Sequence, residues 1–301
     1  RLQGELLLQQ GEGKAAEAVP IYRKWVEAHP DEDSHLLALA WALYDSGQSA
    51  EAASCFERLF QKELARGIFA GFAYDELVRI YREEGDAERL LSVCKRAGAV
   101  HPEDMGILQT LGQAYLWAGR AADAVRTFEK LVGREGDAPE IRCALGNAWL
   151  AAGDPARAES EYRRAAEIDP GSGAALFSRL ASVLLGAGYP ERARAAWVRC
   201  LDIRPDEPLY WMDFGDFLTL LGETDGALDA YKHAVQLDPG VEGGCWHRLG
   251  NLLVRQGLHS HAGQAFAHAL AAEPENPLYT LRLAAAYAAQ GQNDLAEEVL
   301  R

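Results

Sequence analysis

Apolar residues recur along this chain at the three- and four-residue spacing of amphipathic helices, and glycines interrupt that pattern at a regular interval. The nine glycines are Gly13, Gly47, Gly85, Gly119, Gly153, Gly188, Gly222, Gly257 and Gly291. Their separations are 34, 38, 34, 34, 35, 34, 35 and 34 residues. Because glycine adopts the left-handed conformation that ends a helix, each glycine predicts a break between two helices. A fixed period of this length is typical of a repeat array, whose units bury their apolar faces against their neighbours.

Other residue types keep fixed distances from these glycines. Five positions after them stands a small residue, at Ala18, Ala52, Ala124, Ala158, Ala193, Ala227, Ala262 and Ala296, with Leu90 as the exception. Nine positions after them stands a bulky residue, at Tyr22, Phe56, Phe128, Tyr162, Trp197, Tyr231, Phe266 and Leu300, with Cys94 as the exception. Seventeen positions after them stands Pro30, Pro102, Pro170, Pro205, Pro239 or Pro274, while Leu64 and Gly136 replace proline in two repeats. We expect close helix pairs, aromatic packing between layers, and a proline that ends the second helix of each pair.

The same columns resemble the tetratricopeptide repeat, whose pattern is W-x2-L-G-x2-Y, then A-x3-F, then P, on a 34-residue period. The opening is matched by Trp246, Leu249 and Gly250. The close of another repeat is matched by Ala227, Tyr231 and Pro239. The resemblance covers the whole chain and implies an all-α solenoid of stacked antiparallel helix pairs, which forms a right-handed superhelix with the first helix of each pair on the inner wall.

On this basis the chain is predicted to be a single array over residues 1–301. The approximate repeats are residues 1–32, 33–70, 71–104, 105–138, 139–173, 174–207, 208–242, 243–276 and 277–301, of which the first and last are incomplete. Four extra residues, about one helical turn, are expected around Leu64 to Gly71, in a longer second helix or its loop. Single extra residues are expected in the turns near residues 171–173 and 240–244. The apolar residues Ile68, Phe69 and Phe72 are interpreted as packing for the longer turn rather than as a docking surface for a partner.

Charge and composition exclude several classes of partner. The formal net charge is -15, which argues against nucleic acid or an anionic membrane surface, because phosphate binding needs clustered Lys and Arg. No apolar run is long enough for direct membrane insertion. The five dispersed cysteines contain no C-x-x-C pair and are interpreted as buried thiols of a reducing, cytoplasmic compartment. The dominance of arginine over lysine suggests a bacterial source.

Catalytic motifs are not recognised in this sequence. Residues 11–14 and 171–173 resemble phosphate loops only faintly, because neither completes a G-x-x-x-x-G-K-[ST] or G-x-G-x-x-G pattern. His259, His261 and His268 lack the spacing of a metal site and are interpreted as exposed helix residues. The chain is therefore predicted to be non-enzymatic, without a cofactor or a metal ion.

Candidate binding residues lie on the predicted inner wall, at positions three apart on the first helix of each pair. They are Asn147, Arg179, Asp216, His247, Arg248, Asn251 and Arg282 in the polar set, and Trp41, Tyr44 and Trp117 in the aromatic set. The arginine and asparagine side chains suit a carboxylate or acidic peptide. The alternative, which is favoured, is an internal ion ladder in which Asp213 neutralises Arg179 and Arg248. The family's chaperone-tail clamp is not expected, because Met212 and Asp216 stand where it has lysine and asparagine. For the aromatic set, packing in the core is an equal alternative to binding.

The function predicted from the sequence is a protein-protein interaction scaffold that holds a peptide or partner domain in its concave groove. The alternative is the substrate-selecting repeat region of a larger enzyme, such as a protein glycosyltransferase. Because few residues follow Gly291, Leu283, Tyr287, Leu295 and Val299 are expected to lack a capping helix. Self-association through this uncapped C-terminal repeat is a further expectation.

Overall fold

The computed structural model describes residues 15–67, 71–135 and 138–301, and these residues form seventeen α-helices and no strand. The helices are α1 (Ala15–Ala28), α2 (Asp33–Asp45), α3 (Ser49–Arg66), α4 (Phe72–Glu83), α5 (Ala87–Val100), α6 (Met105–Trp117), α7 (Ala121–Glu135), α8 (Pro139–Ala151), α9 (Pro155–Ile168), α10 (Gly173–Gly186), α11 (Pro190–Ile203), α12 (Pro208–Leu220), α13 (Thr224–Leu237), α14 (Glu242–Arg255), α15 (His259–Ala272), α16 (Pro277–Ala289) and α17 (Asn293–Val299). Even-numbered helices begin a pair, and odd-numbered helices complete it. The predicted all-α solenoid is confirmed.

Each described glycine of the 34-residue period separates the two helices of a pair. Eight of them, from Gly47 to Gly291, have a positive φ between 69° and 85°. At Gly85 the amide donates to the carbonyl of Arg82, and the Asp86 amide donates to that of Tyr81 at 2.9 Å. These bonds use carbonyl groups that the end of a helix leaves without partners. Gly13, the first of the series, lies outside the described residues.

The prolines recur regularly because they follow the ends of odd-numbered helices. Helix α5 ends at Val100 and α15 ends at Ala272, and in both cases proline follows two residues later. Proline has no amide hydrogen to continue the helix, so it fixes where the helix stops. Two of these prolines, Pro170 and Pro239, begin short 3-10 turns over Pro170–Ser172 and Pro239–Val241. Those turns contain the single extra residues that the sequence places between repeats.

The four extra residues of the second interval form one additional turn of α3. This helix has 18 residues, whereas α5 and five other odd-numbered helices have 14. Gly67 caps its C-terminus and Gly71 precedes α4, and both glycines have positive φ. Phe72 lies against Trp41, with ring centroids 5.8 Å apart. Ile68 and Phe69 lie outside the described residues, as do Gly136 and residues 11–14.

Small residues permit the close approach of paired helices. A Cβ atom added to Gly250 would lie 2.5 Å from the ring of Phe266, and one added to Gly112 would lie 2.6 Å from that of Phe128. Because a side chain at either position would overlap an aromatic ring, the large-small pair of the sequence is a packing requirement. Ala262, five residues after Gly257, is completely buried.

Contacts between Cα atoms divide the chain into two compact units, Arg1–Glu161 and Tyr162–Arg301. The boundary falls inside α9. In the first unit the core is centred on residues such as Phe56, Phe60 and Leu77, all fully buried. In the second unit, Phe266 and Leu283 belong to one cluster of buried side chains. The single array over residues 1–301 stays a prediction.

The last described helix, α17, is short and only partly packed. Leu283 is only 4% exposed, because α15 packs against α16. Tyr287 and Val299 are half-buried against the same cluster. Leu295 and Leu300 are exposed. Ala296 is the one buried residue of this helix.

Candidate functional site

The polar candidates of the second unit lie on one surface formed by the even-numbered helices α10, α12, α14 and α16. Residues nine, six and two positions before each periodic glycine share one helix face, because they are separated by three and four residues. We call this surface the C-terminal face, and it consists of Arg179, Asp213, Asp216, Leu220, Arg248, Asn251, Arg255 and Arg282. Its ionic groups are four guanidinium groups and two carboxylates, a formal surplus of two positive charges. That sign is opposite to the net charge of the chain, which is -15.

Arg248 is held by both carboxylates of the face. Its guanidinium lies 3.1 Å from the Asp213 carboxylate and is also paired with Asp216. The Tyr231 hydroxyl donates to Asp216 Oδ1 at 2.7 Å, and Thr219 Oγ1 lies 3.3 Å from the same hydroxyl. The half-buried Arg248 is therefore fixed by neighbours on α12, and part of the internal ion ladder forms.

The other three arginines of the face are exposed. Arg179, Arg255 and Arg282 form no ion pair with any residue that the structure describes. Arg179 in particular does not pair with Asp213, so the ladder does not extend from α12 to α10. A guanidinium group offers five donors in a planar fork that fits a carboxylate. No carboxylate in the described part of the chain uses the donors of these three guanidinium groups.

His247 and Asn251 add neutral hydrogen-bonding groups to α14. The Asn251 amide nitrogen lies 3.2 Å from His247 Nε2, and with the imidazole neutral it donates this bond. Burial, together with the positive charges of Arg282 and Arg248, lowers the pKa of His247 below its ordinary value. The imidazole is therefore neutral at pH 7. Its ring lies 5.2 Å from that of Tyr279, between centroids.

A cavity of about 300 Å³ opens on the C-terminal face. It is lined by Asp216, Thr219, Leu220, Arg248, Asn251, Leu252 and Arg255. Sequence reasoning found Asp216, Arg248 and Asn251 but missed Arg255 and Leu220. Both occupy the position two before a periodic glycine, so the same helical spacing, extended by one turn, would have found them. Leu220 is 62% exposed and provides an apolar contact beside the charged groups.

The aromatic candidates belong to the first unit. Trp41 and Tyr44 on α2 have ring centroids 6.3 Å apart, and the guanidinium of Arg79 on α4 lies 5.4 Å and 4.2 Å from these two centroids. Trp117 is 49% exposed and lies instead against Arg82, at 5.7 Å. Asn147, on α8, is half-buried and has contacts of its own. The structure thus brings Trp41 and Tyr44 together and places Trp117 in a separate contact.

Groups that could hold a metal ion are absent from the described residues, where no cluster of three or more His, Cys, Asp or Glu side chains occurs. His268 stacks on Trp246, with ring centroids 4.5 Å apart. The five cysteines are buried, and none forms a disulfide within the described part of the chain. Among the same described residues, no helix is both long and apolar enough to cross a membrane.

Three models of the tetratricopeptide repeat match this chain. One matches residues 110–173 and 247–301, the second matches residues 150–212, and the third matches residues 34–58. The chain belongs to the tetratricopeptide repeat family. Tetratricopeptide repeats indicate a protein-interaction scaffold, which is the broad function expected from the sequence.

This tetratricopeptide repeat chain matches only part of the length of each relative. The small glutamine-rich tetratricopeptide repeat-containing protein 2 of Mycosarcoma maydis is 28% identical over 90 residues, 30% of this chain. The human protein O-mannosyl-transferase TMTC1 is 24% identical over 213 residues, 69% of this chain. The chain spans about a quarter of each, 25% and 24% respectively.

Among solved structures, a tetratricopeptide repeat protein from Parabacteroides merdae superposes with a TM-score of 0.52 and 15% sequence identity. The similarity covers 84% of this chain and 98% of that protein. At this level of identity the likeness shows the fold alone, and it supports the repeat architecture across most of the chain.

Proposed function

We propose that this chain is a non-catalytic scaffold whose C-terminal face binds an acidic segment of a partner protein. The observation that carries the proposal is the set of three exposed, unpaired arginines on a face with a surplus of positive charge, in a chain whose net charge is -15. Charge of this sign attracts carboxylates selectively, because the rest of the surface repels them.

The arrangement around the cavity gives the segment both charge and orientation. Of the residues that line it, Arg255 provides a fork for a carboxylate, Asn251 an amide for a peptide carbonyl, and Leu220 an apolar contact. Arg282 on α16 lies outside the cavity lining and offers a second fork on the same face. Arg248 is fixed by Asp213 and Asp216. These two carboxylates also repel a segment placed too close to α12, so they restrict where it lies.

A short probe peptide tests this function. We expect a blocked pentapeptide of alternating glycine and glutamate to bind the full chain, and the glutamine version to bind much more weakly, when both are measured by isothermal titration calorimetry at low salt. The double variant Arg255→Ala with Arg282→Ala should lose most of this affinity. Removal of charge-assisted hydrogen bonds costs roughly 1.5–3 kcal/mol each, about tenfold or more in affinity.

A matched pair of arginines provides the control. Arg163 and Arg199 lie on the odd-numbered helices α9 and α11, are exposed and form no ion pair with described residues. Their double replacement by alanine removes the same charge from the chain but none from the C-terminal face. Equal losses of affinity in the two double variants would contradict binding at this face and would indicate a general effect of net charge.

The similarity to a protein O-mannosyl-transferase favours a second candidate function. In this alternative the repeats select protein substrates for a transferase domain of a longer protein. An assay of the full-length gene product for mannosyl transfer to a peptide acceptor tests it. Transfer that depends on Arg255 and Arg282 would support the alternative, and an inactive full-length protein that still binds partners would contradict it.

We also propose two properties that the sequence suggested. A cytoplasmic location is supported by five buried thiols that form no disulfide among the described residues, a state that a reducing compartment preserves. Self-association is supported by the exposed leucines Leu278 and Leu281 of α16, Leu295 of α17, and Leu300, which follows α17. A mass in solution that stays that of one chain over a wide range of concentration would contradict self-association.

A further inference from the structure

A half-buried cluster on α2 and α4 in the first unit has a chemistry different from that of the C-terminal face. We define the aromatic site as Trp41, Tyr44, Glu76, Arg79 and Glu83. The Arg79 guanidinium lies over two rings at once, 5.4 Å from the Trp41 centroid and 4.2 Å from the Tyr44 centroid. Two aromatic faces beside a guanidinium form a cation–π arrangement. The site therefore already contains a cationic group, contributed by the chain itself.

Carboxylates lie beside both rings. Glu76 is paired with Arg79, and Glu83 accepts a hydrogen bond of 2.7 Å from the Tyr44 hydroxyl. The two carboxylates and one guanidinium give the site a formal charge of -1. Tyr44 thus has its hydroxyl fixed by one carboxylate while its ring faces a cation. An incoming positive side chain meets aromatic faces and an excess of negative charge.

Arg79 is incompletely satisfied where it lies. Its Nε atom is buried and has no hydrogen-bond partner among the described residues, which is costly for a donor removed from water. The side chain is nevertheless 40% exposed, so it has space to move out toward solvent. Beside it, Phe72 is 42% exposed and its ring lies 5.8 Å from that of Trp41. The internal guanidinium is therefore replaceable, and an exposed aromatic ring adjoins it.

From these contacts we propose that the aromatic site binds an arginine or lysine side chain of a basic partner segment, which takes the place of Arg79 over the rings of Trp41 and Tyr44. Arg79 acts as an internal competitor that lowers affinity for the partner, because it has to leave before the cation enters. The proposal does not depend on the C-terminal face, whose proposed ligand has the opposite charge. The two sites are in different units, so each is tested with its own probe.

The probe for this site is a blocked pentapeptide of alternating glycine and arginine, with citrulline in place of arginine as the neutral control. Citrulline keeps the shape of the side chain and removes its charge. We expect the arginine peptide to bind the full chain in a calorimetric titration and the citrulline peptide to bind far more weakly. Equal binding of the two peptides would overturn the proposal, because the site would then not recognise charge.

Substitutions distinguish Arg79, the internal competitor, from the side chains that would contact the bound cation. Arg79→Ala should tighten the affinity for the arginine peptide, whereas Trp41→Leu and Tyr44→Leu should weaken it about three- to thirtyfold, as expected from the strength of cation–π contacts. Glu76→Gln should also weaken it, through loss of negative charge. Circular dichroism checks the fold of each variant. Since Trp41 is half-buried, Tyr44→Leu and the nearly isosteric Glu76→Gln are measured as well, and they keep the test valid where Trp41→Leu does not fold.

A matched control exists in the same unit. The Arg157 guanidinium lies 4.3 Å from the centroid of Trp149, on a single ring, and is paired with Asp154. Arg157→Ala should leave the affinity for the arginine peptide unchanged. An Arg79→Ala variant that folds and binds the peptide no more tightly than the unaltered chain would overturn the role of Arg79 as a competitor. A loss in Arg157→Ala equal to that in Tyr44→Leu would overturn the site itself.

Discussion

At the scale of single residues, Gly250 tests the packing between paired helices. Gly250→Ala places a Cβ atom 2.5 Å from the Phe266 ring, and we expect the free energy of unfolding to fall by roughly 1–3 kcal/mol, as in overpacked cores. Gly133, which is exposed near the end of α7 with nothing within 4 Å of an added Cβ, is the matched control. Gly133→Ala should raise stability by up to about 1 kcal/mol through helix propensity. Equal effects in denaturant titrations of the two variants would contradict this packing.

His247 predicts a pH dependence of stability. Burial, followed by the charges of Arg282 and Arg248, lowers its pKa in the folded chain below 6.5. The unfolded chain therefore binds more protons than the folded chain just below pH 6.5, and stability is lost as the pH falls through this window. We expect His247→Gln to lose less stability than the unaltered chain between pH 7 and pH 5, in urea titrations. Parallel pH profiles would show that His247 does not titrate as described.

At the scale of helices, the additional turn of α3 is attached to α2 by Asp33. Its carboxylate pairs with Lys62 and with Arg66, which ends α3. The Lys62 hydrogen bond is the largest of the effects that lower the pKa of Asp33. Because this carboxylate has a lowered pKa, its contribution to stability is present above about pH 4 and is lost at lower pH.

Asp33→Asn should therefore lower stability at neutral pH, but by no more than about 1 kcal/mol, since these groups are close to one-third exposed or more. The loss should shrink in 1 M salt, where the Debye length is about 3 Å. Asp229→Asn, which removes an exposed pair with Lys232, is the control and should have a smaller effect. A loss that salt does not change would indicate that packing, rather than charge, is responsible.

The sequence predicted the helices better than it predicted the site. Glycines and prolines act through their own backbones, so their period located the breaks and even the additional turn of α3. Pairing between side chains depends on rotamers and on the exact spacing of neighbouring helices. For that reason the sequence suggested an Arg179–Asp213 pair that does not form, and it did not predict that Arg79 would lie over Trp41 and Tyr44.

At the scale of the whole molecule, a repeat array gains stability from contacts between neighbours, so stability varies along the chain. Helix α17 has seven residues and one buried side chain, Ala296. We expect its amides to exchange with deuterium fastest among the described helices, and those of α15, which has five buried residues, to exchange much more slowly. Equal protection of α15 and α17 in exchange measured by mass spectrometry would contradict this gradient.

The central claim is that the C-terminal face receives an acidic segment, and site-directed photo-crosslinking tests it most directly. Ala285 is exposed on the same face of α16 as Arg282, while Gln264 is exposed on the odd-numbered helix α15. With benzoylphenylalanine at either position, we predict that the glycine–glutamate peptide is captured at position 285 and not at position 264. We also predict that Arg255→Ala with Arg282→Ala abolishes this capture. Equal capture at both positions, or capture at 285 that persists in the double variant, would contradict the account.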